Sequence, residues 1–213
     1  MAAETTDPAW LRWAKELHAI GHIGLEYTDN NHYDRDRYTR VREIAAEILA
    51  AGGDIGPAEV LERWNREQGY ITPKVDVRAV VFDDSERILL VRERADGLWS
   101  LPGGWADVNE SAAGVVAREV WEEANMQVRP VRLLAVLDRN LQGHRPLFAY
   151  HVYKMFFLCD IVSGTPAAGD EALDAAFFAA DALPELSTSR VMAHQILRMR
   201  EHLRDPSLPA DFD

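Results

Sequence analysis

The chain has 213 residues, enough for one domain or two small ones at about 150 residues per domain. Hydrophobic residues at 47% and charged residues at 27% exclude collagen-like, low-complexity and disordered classes. With 35 acidic against 23 basic side chains the net charge is -12, which repels nucleic acid and anionic membranes, so neither is expected as a partner.

One cysteine, Cys159, cannot form an internal disulfide, and its place in an apolar strand suits packing, not chemistry. The start MAAETTDPAW has neither the basic end nor the apolar run of a secretory signal, and apolar runs stay below the ~18 residues of a membrane span. A cytoplasmic location is expected.

Residues 1–70 read as helices. Asp7-Pro8 has the form of an N-cap followed by proline at the first helical position, with Trp10, Trp13, Ala14, Leu17 and Ile20 recurring at helical spacing. Gly21 and Gly24 are expected to end that helix. A second stripe, Tyr38, Val41, Ile44, Ala45, Ile48 and Leu49, stops at Gly52-Gly53, and Pro57 opens a third helix through Trp64.

From Thr72-Pro73 the pattern changes, which places a second domain at 71–213. Residues 75–82 and 88–91 are β-branched or aliphatic runs around Asp83-Asp84-Ser85-Glu86 and predict a hairpin. Further strands are predicted at 131–138, 150–161 and 175–178, with helices at 110–125 and 189–202. This order is mixed α/β, neither repeated βαβ nor all-β.

The chemistry concentrates in Gly103-Gly104-Trp105-Ala106-Asp107-Val108-Asn109-Glu110 and Arg118-Glu119-Val120-Trp121-Glu122-Glu123-Ala124-Asn125-Met126. On a helix, Glu119, Glu122 and Glu123 stand at i, i+3 and i+4, so three carboxylates share one face and repel one another unless a cation neutralises them. Hard oxygen donors of this kind suit Mg²⁺ or Mn²⁺, which also bind substrate phosphates. Ala113, Val116, Ala117, Val120 and Ala124 form an apolar stripe that can anchor the helix on a sheet.

These residues resemble the signature of the Nudix hydrolases: a Gly, five residues, a Glu, seven residues, then Arg-Glu, an aliphatic, any residue, Glu-Glu, any residue, Gly and an aliphatic. Gly104, Glu110, Arg118, Glu119, Val120, Glu122, Glu123 and Met126 fill it at the right spacing, over a domain of about 73–205. Only the late glycine differs: it is Asn125. Asparagine is the non-glycine residue that most readily adopts the left-handed region, so it can end the helix in the same way.

The resemblance implies an α/β/α sandwich with a mixed sheet, preceded here by a small all-α domain. It implies hydrolysis of a nucleoside diphosphate linked to another group, with divalent metal activating water. By analogy Glu119, Glu122 and Glu123 are the metal ligands, with a carbonyl of Gly103 or Gly104 as an extra one. Arg118 would hold a box carboxylate and Glu110 would support the loop. Glu171, on a loop before a late strand, corresponds to the general base of several relatives, with an exposed loop acid as the equal alternative.

Other residues carry weaker expectations. His144, His151 and Tyr153 flank a strand and could touch phosphate, although a hydrogen-bonded or solvated histidine is the commoner case. Arg78 and Arg92 could contact phosphates or be exposed strand arginines, and Trp105 is expected to pack beside the catalytic loop.

The helical extension resembles that of bacterial CDP-choline and ADP-ribose pyrophosphatase-like proteins, through stretches such as Trp10-Leu11-Arg12-Trp13 and Tyr33-Asp34-Arg35-Asp36-Arg37-Tyr38. In such relatives it helps pair two chains and shape the substrate pocket, which implies a homodimer. A proline found about fifteen residues past the box in many ADP-ribose enzymes is replaced by Leu141-Gln142. The extension also offers Trp10, Trp13, Tyr27, Tyr33, Tyr38 and Trp64 among its acids, groups that can hold a quaternary ammonium by cation–π contact. CDP-choline is therefore the favoured substrate, ADP-ribose or another NDP-sugar the alternative. A Nudix-derived ligand-sensing regulator is a third reading, disfavoured because every box acid is present.

Overall fold

In the computed structural model, residues 7–28, 31–53 and 55–213 are described. The chain divides into two compact units: a helical one reaching Pro73 and including Leu147–His151, and an α/β one of Lys74–Pro146 and Val152–Asp213.

The helical unit contains α1 (Ala9–Tyr27), α2 (His32–Ala51) and α3 (Pro57–Trp64), with no strand among the described residues. Two expectations are corrected. Pro8, not Asp7, is the N-cap of α1, and the Asp7 carboxylate instead pairs with Lys15 Nζ at 2.8 Å. Gly21 and Gly24 do not end α1, which runs on to Tyr27. They are where α2 packs against the helix backbone: a Cβ on Gly21 would stand 2.6 Å from Arg42 Cγ, and one on Gly24 would run into the Tyr38 ring. The penalty of glycine in a helix is here offset by close helix packing. Leu11, Ala14, Ala45, Ala46, Leu49, Val60 and Trp64 form the core. Leu147, Ala149 and Tyr150 also pack on it, an excursion of the chain that the sequence reading did not anticipate.

Buried within this unit, His18 stacks on Trp64 with ring centroids 3.8 Å apart, and neither of its ring nitrogens has a hydrogen-bond partner among the described residues. Burial, then Arg42 and His22, lower its pKa from 6.5 to about 3. An unfolded histidine takes up its proton near pH 6.5, whereas the folded one resists until about pH 3. The contribution of neutral His18 to stability is therefore complete above about 6.5 and lost as the pH falls through that window, at about 1.4 kcal/mol per unit of separation. Thermal unfolding of the full chain should show Tm falling between pH 7.5 and 5, and His18→Phe should flatten that dependence. An unchanged pH slope in the variant would assign the effect to other groups.

The strands of the α/β unit are β1 Lys74–Val81, β2 Arg87–Glu93, β3 Trp99–Ser100, β4 Gln127–Asp138, β5 Val152–Ser163, β6 Ala172–Ala179 and β7 Asp211–Phe212. They build a four-stranded mixed sheet, β1-β5-β4-β7, and a three-stranded antiparallel sheet, β3-β2-β6. Helices α4 (Ala112–Ala124) and α5 (Ala193–Arg204) cover the two faces. Strand alternation explains the layers. Val77, Ala79 and Val81 of β1, with Leu89 and Val91 of β2, pack with Val116 and Val120 of α4. The intervening Val80, Ile88 and Leu90 pack with Ile196 and Met199 of α5. Both faces are buried, so these strands read as continuous apolar runs.

The predicted hairpin is corrected in one respect. The turn forms, with Asp83 Oδ1 accepting from the backbone N–H groups of Ser85 and Arg87, and Phe82 bridges Ile88. Beyond that bridge the strands part, β1 pairing in parallel with β5 and β2 antiparallel with β6. Strand propensity fixed each run but not its partner.

Candidate active site

A loop and a helix converge beside β1. On the edge of β1 away from β5, the backbone of 102–106 runs alongside: Ala79 N–H donates to Pro102 O at 2.8 Å, Val77 N–H to Gly104 O at 2.8 Å, and Ala106 N–H to Val75 O at 2.9 Å. The approach leaves no space for a side chain at Gly103, whose φ is 138° and whose Cβ would collide with Val77 O. Trp105 bridges Asp76 through its backbone and is half exposed.

Ser111 starts α4 as its N-cap, with its hydroxyl accepting from Gly114 N–H at 3.1 Å. Val115, Val116, Val120 and Ala124 are buried and Ala117 packs against the same cluster, so the expected anchoring stripe forms with Val115 added, while Ala113 is only partly buried. Glu119 and Glu123, one turn apart, lie on the same buried side. Asn125 ends the helix in the left-handed region, φ 52° and ψ 30°, as expected of the residue in the glycine position.

The carboxylates are held from two sides. Glu123 Oε2 accepts from Gly103 N–H at 2.8 Å, and Gly104 leaves room for the Glu119 carboxylate, which a Cβ there would approach to 3.2 Å. Arg118 Nη1 donates to Glu122 at 2.7 Å and Glu119 at 3.2 Å, Nε to Glu110 at 3.2 Å, and Nη2 to Asp107 at 2.9 Å. One guanidinium thus joins four carboxylates. Asp107 is a partner that the sequence reading did not single out.

Burial raises the Glu123 carboxyl from 4.5 to about 8, although Arg78 and the Gly103 N–H oppose the shift. Burial also raises Glu119, helped by the negative charges of Glu122 and Glu171. The loop acid Glu171 is therefore electrostatically in reach of the box. Among the described residues no three His, Cys, Asp or Glu side chains stand grouped to hold an ion as they are. Glu119 and Glu122 share Arg118, while Glu123 turns to Gly103. The donor set still fits a hard divalent cation, because buried carboxylates whose ionisation is penalised by desolvation gain most from one. Of the two glycine carbonyls, Gly104 O already accepts from Val77.

Behind the loop lies a buried charge network that the sequence reading missed. Asp76 accepts from Arg78 Nε at 2.9 Å and Nη2 at 2.7 Å, and from Lys154 Nζ at 2.6 Å. Arg78 also donates to Leu101 O at 3.0 Å, which ties it to the loop. It is neither an exposed strand arginine nor open to phosphate. Desolvation opposes ionisation of Asp76, but Arg78 and Lys154 outweigh it and hold its pKa at about 2. Burial lowers Lys154 to about 8 despite Asp76. The polar pair Asp76 and Arg78 inside an otherwise apolar strand was the available signal.

His144 is likewise buried, with Nδ1 2.9 Å from Thr188 O and Nε2 3.3 Å from Gln195 Nε2, and burial lowers its pKa to about 3. Tyr153 is partly exposed, and Arg92 is an exposed strand arginine whose Nε donates to Gly97 O at 2.7 Å. His151 belongs to the segment that packs with the helical unit.

A NUDIX domain model matches residues 72–198, and a model described as a UDP-X-like, N-terminal oligomerisation domain matches residues 8–64. The chain belongs to the Nudix family and is a Nudix pyrophosphohydrolase acting on nucleoside diphosphate derivatives. It is 40% identical over 204 residues to the Bacillus subtilis protein YjhB, provisionally named an ADP-ribose pyrophosphatase, covering 96% of this chain and 97% of that one. A solved structure described as a UDP-X diphosphatase matches with TM-score 0.61 and 32% identity, over 96% of this chain and 98% of the other. An ADP-ribose pyrophosphatase from Streptococcus suis matches with TM-score 0.59 and 39% identity, over 67% of this chain and all of that one. Among the described residues no helix is long and apolar enough to cross a membrane.

Proposed function

We propose that the protein hydrolyses ADP-ribose or a closely similar NDP-sugar to a nucleoside monophosphate and a sugar phosphate, using Mg²⁺ or Mn²⁺. The observation that carries the chemistry is the set of box carboxylates, Glu119, Glu122 and Glu123, brought beside the Gly103–Gly104 backbone and organised by Arg118. Glu119, Glu122 and Glu123 would hold the cation, with a loop carbonyl of Gly103 or Gly104 in support. When bound, it neutralises the diphosphate and lowers the pKa of a coordinated water. Glu171 takes the proton from the attacking water, and Arg118 holds Glu122 in place while substrate enters.

The substrate assignment departs from the choline expectation, because the aromatic groups behind that expectation do not converge. Trp64 is stacked on His18 in the helical core, Trp10 lies where a Cβ on Gly52 would be, and Tyr38 lies against Gly24. Trp13, Tyr27 and Tyr33 are 58%, 68% and 73% exposed, so three of the six face solvent. Within one chain such a distribution makes no cage for a quaternary ammonium. The full-length similarity to YjhB supports ADP-ribose despite Leu141-Gln142 in place of the proline.

Steady-state kinetics on one preparation should give a kcat/KM for ADP-ribose at least about tenfold above that for CDP-choline, a margin set by unpaired site groups when a partner is missing. The reverse order would restore the choline reading and leave the chemistry unchanged.

The helical unit is also the proposed pairing element of a homodimer, in keeping with the description of the matching domain model. Light scattering at micromolar concentration should report about 48 kDa, twice the 24.0 kDa chain. A single chain mass would exclude it.

A further inference from the structure

The departure from the family signature at Asn125 coincides with a contact that glycine cannot make. Asn125 Nδ2 donates to Ala168 O at 2.9 Å, across 43 residues of sequence. Two backbone bonds flank that contact, Ala167 N–H to Ala124 O at 3.1 Å and Gly169 N–H to Glu123 O at 3.0 Å. At Gly169 a Cβ would collide with Glu122 O, so the loop is pressed onto the last turn of α4, the turn that carries Glu122 and Glu123. Earlier in the loop, Gly164 sits where a Cβ would be 2.9 Å from Asn125 O. Just after it, Ala172 enters β6 opposite Glu93. Glu171 lies two residues past Gly169 and one before β6, and its charge is felt at Glu119.

We propose that Asn125 is a positioning residue: its side-chain amide clasps the 164–171 loop to the end of α4 and so sets where Glu171 stands relative to the box carboxylates. This rests on the reading of Glu171 as the base. A glycine would take the left-handed turn with less strain but would leave Ala168 O to solvent, so the loop would be held by backbone bonds alone. Asparagine accepts some conformational cost and adds a side-chain bond that fixes the loop. Asn125 acts through Glu171 and touches no reacting atom.

The test uses Asn125→Gly, Glu171→Gln and the double variant of the full chain, with two readouts. In metal-free protein, amide exchange of Ala167 and Gly169 should quicken about 2- to 10-fold in Asn125→Gly, the range expected for one lost hydrogen bond. With metal and saturating ADP-ribose, kcat of Asn125→Gly should fall by about the same factor with KM nearly unchanged, and that of Glu171→Gln by about 100-fold or more. The double variant should then match Glu171→Gln alone within about twofold, because two groups acting through one step do not add. Wild-type exchange and kcat in Asn125→Gly would overturn the proposal, as would multiplicative losses in the double variant. Full activity in Glu171→Gln would remove the base and the positioning role with it. Were Glu171→Gln impaired while Asn125→Gly behaved as wild type, the base would stand and the clasp would fall.

Discussion

Glu122→Gln and Glu123→Gln should each lower kcat by at least about two orders of magnitude while the protein stays folded, since in the proposed site each glutamate supplies a negative donor to the cation and its water. The two variants should differ elsewhere. Glu122 is held by the outward guanidinium of Arg118, and a Gln there can still accept from Nη1. Glu123 is buried, with its carboxyl raised to about 8, and bonds the loop at Gly103. Without metal, burial keeps this carboxyl protonated at neutral pH at a cost to stability that a neutral amide does not carry, so Glu123→Gln should match or exceed the wild type in thermal stability. Calorimetry beside kinetics separates the effects. A Glu123→Gln protein that is both active and unstable would mean the carboxylate serves the fold, not the reaction.

The second large effect is expected in the buried network. Asp76→Asn leaves Arg78 and Lys154 facing each other without the charge between them, and breaking a buried pair costs about 3 to 5 kcal/mol. The damage should reach the active site, because Arg78 also donates to Leu101 O at the root of the glycine loop. Chemical denaturation should show the loss. Lys154→Met in the same background should recover part of it, by removing one of the two uncompensated cations. No change in midpoint for Asp76→Asn would mean that water reaches the network and screens it. The low folded pKa of Asp76 gives the same interaction a pH signature: its contribution is complete above about 3.8, the ordinary value, and is lost as the pH falls through about 2.

What the sequence revealed follows from how local each signal is. The box is local in sequence, so Gly104, Arg118 and the three glutamates were legible at their spacing, and the left-handed turn at Asn125 followed from residue preference. The clasp was not legible, because Ala168 lies 43 residues from Asn125 and a backbone carbonyl has no residue identity to read. Helix ends at Gly21 and Gly24 were misread for a related reason. A glycine that ends a helix and one that admits a neighbouring helix look alike until Tyr38 and Arg42 are placed beside them. The aromatic residues of the extension are a similar case. Composition counts Trp64 and Tyr33 equally, yet one is 1% exposed and the other 73%.

Metal-dependent hydrolysis of a nucleoside diphosphate derivative is measured most simply by product analysis of ADP-ribose incubated with the purified full chain. With Mg²⁺, AMP and ribose 5-phosphate should appear in equal amounts, and neither should appear in excess EDTA until Mg²⁺ is restored. Undiminished release in EDTA would rule out metal-dependent chemistry. So would intact ADP-ribose, UDP-sugar and CDP-choline after incubation with Mg²⁺ or Mn²⁺.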